Sequence, residues 1–184
     1  YLNPKYSSKK KFKYIHISTD EVYGDVKNKS NEMTRYNPSS PYSASKASSD
    51  FLVKSWGRTY GIPYIITNCS NNFGPYQHNE KLIPKTINNF INGKSIPVYG
   101  KGNQKRDWIY VEDHILALEK IIKSNIVNET FNISSGKTIT NLKIINTIKK
   151  IFEKKLKFTF KSNLIKFVKD RPGHDKSYIV DSSK

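Results

Sequence analysis

The sequence is poor in cysteine and has no long apolar run. Cys69 is the one cysteine among 184 residues, so an internal disulfide is excluded, which fits a reducing cytoplasm. No stretch approaches the roughly 18 apolar residues that a transmembrane helix needs, and positions 1–11 have no apolar signal-peptide core. We therefore expect a cytoplasmic protein that has no membrane partner.

Arginine is also scarce, although the formal net charge is +17. Only four of the 32 basic residues are arginines, the side chain that forms forked contacts with phosphates and base edges. The other basic residues are lysines, which are scattered along the chain and do not form one stripe. We interpret them as solvated surface charges, and we keep a basic nucleic-acid-binding protein as the rival hypothesis.

A third absence is a glycine-rich turn. A dinucleotide-binding fold needs such a turn after its first strand, where backbone N–H groups meet the pyrophosphate. No G-x-x-G-x-x-G occurs in the chain. If the protein binds a dinucleotide, we expect this turn in a segment that precedes Tyr1, and we expect residues 1–184 alone to be inactive and poorly stable.

Strand and helix patterns alternate along the chain. Short β-branched or aromatic runs predict strands at Phe12–Ser18, Pro63–Cys69, Ile96–Tyr99 and Thr130–Ile133. Apolar residues at helical spacing predict helices at Tyr42–Tyr60, Leu82–Asn92, Asp113–Lys123 and Asn141–Phe152. Gly61 and Gly93 are expected to end the first two helices. This order predicts an α/β fold with a doubly wound parallel sheet.

Two carboxylates, Asp20 and Glu21, follow the first predicted strand directly, where doubly wound folds place reactive groups. In an extended segment, adjacent side chains point in different directions. The pair could therefore reach two atoms of one substrate, one carboxyl acting as acid and the other as base. The plainer alternative is a solvated loop.

A phenol and an ammonium, Tyr42 and Lys46, are four residues apart near a predicted helix start, and so they share one helix face. The nearby cation and the helix dipole both favour the phenolate and should lower the pKa of Tyr42. Tyr42 is thus a candidate base for a substrate hydroxyl. The same pattern also fits a surface tyrosine beside a solvated lysine.

Together these motifs carry a family resemblance. The matching blocks, in chain order, are ISTDEVYG (Ile17–Gly24), SPYSASKASSD (Ser40–Asp50), NCSNNFGPYQ (Asn68–Gln77), EKLIPK (Glu80–Lys85), VYGKGNQKRDWIYVEDH (Val98–His114) and DRPGHD (Asp170–Asp175). They resemble the dTDP-glucose 4,6-dehydratases of the extended short-chain dehydrogenase/reductase family. The resemblance implies a Rossmann-type NAD-binding domain, of which residues 1–70 are the C-terminal part. Residues 71–184 would mainly bind substrate, with some strands and helices returning to the sheet.

The resemblance also implies an activity. In that family a hydride passes from C4 of the hexose to bound NAD, water is lost across C5 and C6, and the hydride returns to C6. The product is a 4-keto-6-deoxy sugar nucleotide. By resemblance, Tyr42 deprotonates the C4 hydroxyl, Lys46 holds the cofactor ribose and Thr19 orients the substrate. Asp20 protonates the departing C6 hydroxyl and Glu21 removes the C5 proton. Sister epimerases have no use for such a carboxylate pair.

The same resemblance assigns further residues to binding. Ser18 and Asn72 would join Tyr42 and Lys46 at NAD, and no metal is expected. Lys81, Arg106 and Arg171 suit the diphosphate, and Tyr99 and His174 could flank the nucleotide. The full set implied for the nucleotide sugar is Thr19, Asn71, Glu80, Lys81, Leu82, Pro97, Tyr99, Arg106, Asn141, Arg171 and His174.

Because of three departures from the family pattern, the sequence does not decide which nucleotide the substrate carries. Ser134–Asn141 stands where the family has Gly-Gly and an Asn-Glu pair, Asn79 replaces a proline, and Lys176-Ser177 replaces two arginines. We expect dTDP-glucose as substrate. A UDP-sugar 4,6-dehydratase, or a related nucleotide-sugar epimerase or decarboxylase, is the alternative.

The helix that begins at Tyr42 is also predicted to be an oligomer contact. It carries small residues, Ser45, Ser48 and Ser49, beside Phe51 and Trp56, which suits close packing across a two-fold axis. The family commonly forms homodimers through this helix. The alternative is that Phe51 and Trp56 face the chain's own core.

Overall fold

The computed structural model describes residues 12–160 and 163–184. Strands and helices alternate along most of this part of the chain. The elements are β1 (Tyr14–Thr19), α1 (Pro41–Tyr60), β2 (Tyr64–Cys69), β3 (Asn71–Phe73), α2 (Leu82–Ile91), β4 (Ile96–Tyr99), β5 (Lys105–Tyr110), α3 (Val111–Lys123), β6 (Glu129–Ile133), β7 (Thr138–Thr140), α4 (Asn141–Lys155) and β8 (Ile165–Val168).

A parallel three-stranded sheet positions the residues of interest. β2 lies in its centre, between β1 and β6, and both neighbours are parallel to it. Ile65 and Ile66 of β2 are fully buried, as expected for a central parallel strand that is covered on both faces. Thr19 lies opposite Cys69 at the carboxyl ends of β1 and β2. The segments that follow the two strands therefore meet at one edge of the sheet.

Two smaller sheets complete the described fold. β3 pairs in parallel with β5, and β7 is antiparallel to β5. β4 pairs in parallel with β8 and supplies Ile96 and Val98 to a core that also contains Phe90, Ile145 and Phe152. Because Phe90 lies on α2 and the last two residues on α4, these helices cover that sheet.

The ends of helix α1 are specified by local sequence. The Ser40 hydroxyl accepts from the Ser43 N–H at 3.1 Å, and the Ser43 hydroxyl accepts from the Ser40 N–H at 3.0 Å. Pro41 occupies the first turn, where a missing N–H costs nothing. Gly61 ends the helix with φ 67°, a left-handed conformation that favours glycine.

Asp50 fastens α1 to β1. This residue is fully buried, and its Oδ2 accepts from the hydroxyls of Ser18 and Tyr36, each at 2.9 Å. Its Oδ1 lies 3.1 Å from Nε2 of His16, whose pKa is lowered by burial and partly restored by the Asp50 charge. These neighbours offset the cost of burying a carboxylate. They hold the middle of α1 beside β1.

The predicted α/β class, four strands and four helices are all confirmed, with ends shifted by a few residues. The sequence patterns did not predict the short strands β3, β5, β7 and β8, nor a four-residue 3-10 turn at Asp20–Tyr23. β5 was missed because its first three residues, Lys105 to Asp107, are charged. None of the described helices is long and apolar enough to span a membrane.

Candidate active site

The candidate site begins where β1 ends. Thr19 caps the 3-10 turn, and its hydroxyl accepts from the Glu21 N–H at 3.3 Å. Our expectation of an extended segment at Asp20 and Glu21 is therefore wrong. The two side chains point in different directions because of the turn, and not because they alternate along a strand. Gly24 ends the turn with φ 72°, and a β-carbon there would lie 2.0 Å from the Asn37 carbonyl oxygen.

Asp20 is buried at the carboxyl end of the sheet, with 3% of its surface exposed. Burial, and then the charge of Glu21, raise the pKa of Asp20 to about 8, although Arg106 opposes them. The Thr19 hydroxyl donates to Oδ1 at 3.4 Å. Oδ2 is buried without a hydrogen-bond partner among the described residues. Asp20 therefore retains a proton at neutral pH, as a general acid must.

Glu21 lies in a different environment, although it is the next residue. It is only partly buried, and desolvation raises its pKa on balance, although the charges of Arg106 and Arg171 oppose the rise. The two cations favour the ionised carboxylate, which is the form that can remove a proton. Adjacent carboxyls in unlike surroundings are suited to opposite acid–base roles.

Tyr42 lies in the first turn of α1, with its side chain half exposed. The pKa of Tyr42 is raised, first by burial and then by the charge of Glu21, while the Thr19 hydroxyl opposes them. The expected lowering is therefore wrong for this structure, because Lys46 directs its ammonium to the Ile17 carbonyl at 2.7 Å. The structure nevertheless brings Tyr42 together with Thr19 and both carboxylates.

Asn71 and Asn72 approach the site from the start of β3. The Asn72 amide donates to the Ser70 carbonyl at 3.1 Å and contacts Sγ of Cys69 at 3.5 Å. The amide oxygens of Asn71 and Asn72 are buried and have no partner among the described residues. Burial and the Asp20 charge raise the pKa of Cys69 to about 11. This thiol thus lies near both Asn72 and Asp20.

Arg106 borders the carboxylates from β5 and is buried. Its guanidinium donates to the carbonyls of Lys105 at 2.8 Å and Asp175 at 2.9 Å, and it lies 4.2 Å from the ring centre of Tyr178. Arg171 is exposed, and its charge acts on both Glu21 and Arg106. The structure therefore places both predicted arginines beside the acid–base pair.

Tyr99 and His174, which the resemblance assigns together to the nucleotide, lie side by side. Their ring centres are 6.3 Å apart and their planes are nearly perpendicular. His174 Nδ1 lies 2.6 Å from Asp170 Oδ1, and Gln104 donates to the other carboxylate oxygen at 2.9 Å. Burial lowers the pKa of His174 more than Asp170 raises it.

The remaining assigned residues are not joined to the carboxylates by any contact in the described part of the chain. Glu80 and Lys81 are exposed before α2, and Asn141 donates its backbone N–H to the Gln104 carbonyl at 3.0 Å. Pro97 lies in β4 opposite Lys166. Leu82 packs against the core that contains Phe90, so its side chain contributes to the packing of the fold. Ser18 donates its hydroxyl to Asp50.

Sequence reasoning missed Asp175 and Tyr178 as individual site residues. Both are buried, and the Tyr178 hydroxyl lies between the carboxylates of Asp175 and Glu21. Asp175 ends the quoted DRPGHD block, but no spacing rule connects it with Glu21, 154 positions earlier. Only the fold brings the two segments together.

The fold and the site together define a class of protein. It is an α/β protein in which a carboxylate pair follows a parallel strand and a tyrosine–lysine pair lies at the start of the next helix. Comparison identifies the family within that class: the model described as GDP-mannose 4,6 dehydratase matches residues 3–184. The chain belongs to this family.

Individual relatives refine the comparison. The chain is 49% identical to a dTDP-glucose 4,6-dehydratase of Escherichia coli over 94% of this chain. It is similar in structure to a dTDP-glucose 4,6-dehydratase of Streptomyces venezuelae solved with NAD bound, with a TM-score of 0.84 and 37% identity over 92% of this chain. A UDP-glucuronic acid 4-epimerase of Bacillus cereus, in complex with UDP-glucuronic acid and NAD, gives a TM-score of 0.85 and 31% identity over 93% of this chain. These likenesses confirm the Rossmann-type fold and the family resemblance.

The chain spans about half the length of the relatives it matches. It covers 52% of the Escherichia coli protein and 51% and 53% of the two chains of known structure.

The burial of Asp20 predicts how stability depends on pH. A folded-state pKa of about 8 lies above 3.8, the ordinary value for an aspartate, so the stability linked to Asp20 is present at pH 4 and is lost as the pH rises through 8. In the full-length protein, Asp20→Asn removes this loss. The free energy of unfolding of the variant, relative to that of wild type, should therefore rise by about 4 kcal/mol between pH 5 and pH 8.

Chemical denaturation across this pH range measures the effect. Asp113→Asn, on the exposed first turn of α3, is the matched control and should follow wild type. Parallel stability–pH curves for wild type and Asp20→Asn would show that Asp20 is ionised throughout.

Proposed function

We propose that the protein containing this chain is a nucleotide-sugar 4,6-dehydratase that converts dTDP-glucose to dTDP-4-keto-6-deoxyglucose and water. One observation carries the proposal: the buried Asp20, with a pKa of about 8, lies beside the partly exposed Glu21. Elimination of water needs an acid at one carbon and a base at its neighbour. The 49% identity with a dTDP-glucose 4,6-dehydratase supports the choice of substrate. We also retain the proposed division into residues 1–70 and 71–184.

The residues around Tyr42 fit NAD. Lys46 holds its ammonium beside the end of β1, and the Asn72 amide oxygen is buried without a described partner. We propose that Tyr42, Lys46, Asn72 and Ser18 hold the cofactor. Two relatives solved with NAD bound support the choice of NAD itself. When bound, NAD supplies a reversible hydride acceptor. The glycine-rich phosphate turn is expected in another part of the full-length protein.

The chain's own residues supply the proton transfers. Tyr42 takes the proton of the C4 hydroxyl, and Thr19, which contacts both Tyr42 and Asp20, orients the sugar. Once C4 is a carbonyl, the C5 hydrogen is acidic and Glu21 removes it. The electron pair of the C5–H bond forms the C5=C6 bond, and the C6–O bond breaks. Asp20 gives its proton to the departing hydroxyl, which leaves as water.

These transfers leave no proton unaccounted for. Glu21 returns the proton it took to C5 when C6 is reduced. Tyr42 gains one proton from the C4 hydroxyl, and Asp20 loses one to the water, so a transfer from Tyr42 back to Asp20 restores the starting state. The raised pKa of Asp20 favours its return to the protonated form, whereas the raised pKa of Tyr42 opposes the release of its proton.

The proposed binding residues for the nucleotide sugar lie outside the group formed by Asp20, Glu21 and Tyr42. We propose Arg106, Arg171 and Lys81 for the diphosphate and the Tyr99–His174 pair for the nucleotide. Asn71, whose amide NH₂ group can donate to a phosphate oxygen, is proposed for the sugar phosphate. Glu80, Leu82, Pro97 and Asn141 complete the proposed set.

Epimerisation is the competing activity, since a UDP-glucuronic acid 4-epimerase is equally similar in fold. An epimerase needs a base for C4 but no acid for a C6 hydroxyl. The buried proton of Asp20 would then have no chemical use. We also expect no nucleic-acid partner, and steep loss of RNA binding with added salt, without sugar-nucleotide binding, would contradict this.

Site-directed variants of the full-length protein should separate the reaction into two stages. Tyr42→Phe removes the redox base and should abolish hydride transfer. Asp20→Asn combined with Glu21→Gln should leave C4 oxidation measurable and block elimination. The expected signature of the double variant is the absorbance of reduced NAD without a 6-deoxy product. Normal product formation by that variant would sink the assignment.

We also propose that the protein forms a homodimer through α1. Phe51, Leu52 and Trp56 are 58%, 60% and 49% exposed, so they do not face the core of the described fold. The hydroxyls of Ser48 and Ser55 donate to backbone carbonyls of their own helix. This leaves a face of small and apolar groups that can approach a second helix closely.

The double substitution Leu52→Glu and Trp56→Glu tests this proposed interface. The full-length wild-type protein should sediment as a dimer at micromolar concentration, and the double variant should sediment as a folded monomer, because two buried charges would have no partner. Ile151→Glu, on the exposed side of α4, is the control and should remain a dimer. A monomeric wild type would rule out the dimer.

A further inference from the structure

The segment Asp175–Tyr178 lies directly behind Glu21. Tyr178 is 5% exposed, and its hydroxyl lies 2.5 Å from Oδ2 of Asp175 and 3.5 Å from Oε2 of Glu21. We propose that Tyr178, held by Asp175, is a positioning residue that keeps the Glu21 carboxyl aimed at C5 of the sugar. This inference rests on the proposed function, in which Glu21 is the C5 base.

A phenol between two carboxylates can serve Glu21 in both of its protonation states. It can donate its one proton to Glu21 while that carboxylate is ionised. After Glu21 has taken the C5 proton, the phenol can accept from Glu21 and donate to Asp175. Tyr178 keeps its own proton throughout, so the proton balance of the elimination does not change. The oxygen Oε2 thus has a partner before and after proton transfer.

The pair is itself held rigidly. The guanidinium of Arg106 stacks on the Tyr178 ring at 4.2 Å and donates to the Asp175 carbonyl at 2.9 Å. The Ser39 hydroxyl donates to the same carboxylate oxygen that Tyr178 contacts. The backbone N–H of Tyr178 donates to the Lys105 carbonyl at 3.4 Å. These contacts hold the Tyr178 ring, the Tyr178 backbone and the Asp175 carboxylate in place, as a positioning group requires.

The contrast with Tyr23 separates this role from ordinary packing. Tyr23 is equally buried, at 2%, and its hydroxyl donates to the Asn132 amide oxygen and accepts from Asn68, each at 2.9 Å. Its partners are two neutral amides, whereas Tyr178 bridges two carboxylates. Tyr23→Phe therefore removes a buried hydroxyl without touching Glu21, and it is the matched control.

The test compares Tyr178→Phe with Tyr23→Phe in the full-length protein. Tyr178→Phe should keep KM and the rate of C4 oxidation within about threefold of wild type. It should slow product formation about tenfold, which corresponds to one lost hydrogen bond of about 1.4 kcal/mol. With substrate deuterated at C5, the isotope effect on kcat should rise, because C5 proton removal becomes rate-limiting. Tyr23→Phe should change stability but not this isotope effect.

Asp175→Asn decides the question if Tyr178→Phe does not fold. The amide keeps the size of the side chain but weakens the hold on the phenol, so the same selective slowing is expected. An unchanged isotope effect in every folded variant, or equal loss of C4 oxidation and product formation, overturns this inference alone. A full-length wild type that neither oxidises C4 nor forms a 6-deoxy product overturns the proposed function, and this inference with it.

Discussion

Burial of one acid, Asp20, is the constraint on which the proposed chemistry depends. An aspartate in water is ionised at neutral pH and cannot protonate a departing hydroxyl. At the end of β1 the carboxyl is removed from solvent, and its pKa rises to about 8. The capped 3-10 turn makes this possible, because it turns Asp20 inward and leaves Glu21 partly exposed. The difference between acid and base thus follows from a single turn of backbone.

Comparison with two other buried aspartates supports the choice of Asp20 as the proposed acid. Asp50 accepts two hydrogen bonds at 2.9 Å, and Asp107 accepts from Ser70 and twice from Ser135, at 2.8 to 3.1 Å. Asp20 receives one long contact, and its second oxygen has no described partner. Well-partnered buried carboxylates join elements of the fold. A carboxyl that the fold leaves without donors keeps its proton and can give it to a ligand.

The sequence predicts the framework because the framework is local. Helix α1 follows from Ser40, Pro41 and Gly61, and β2 follows from an apolar run that is buried on both faces. The approach of Tyr42 to the carboxylates could be expected only through the family resemblance. The raised pKa of Tyr42 could not be predicted, since it depends on burial and on a neighbouring charge 21 residues away in sequence.

Long-range contacts account for the rest of what the sequence did not show. Tyr178 meets Glu21 only because the segment after β8 returns to β5, where Lys105 N–H donates to the Lys176 carbonyl at 2.8 Å. Neither helical nor strand periodicity carries information about such a return. Phe51 and Trp56 illustrate a different limit of periodicity. Helical spacing predicts an apolar stripe, but it does not tell whether the stripe faces the chain's own core or lies exposed.

The protonation state of Asp20 tests the central claim most directly. In the full-length protein, carbon-13 labelling of aspartate carboxyls and an NMR titration would follow Asp20, with Asp20→Asn identifying its signal. We expect a titration midpoint near pH 8, so that the carboxyl is mostly protonated at pH 7. A midpoint near pH 4, the ordinary value for an aspartate, would contradict it, because an ionised Asp20 could not protonate the departing hydroxyl.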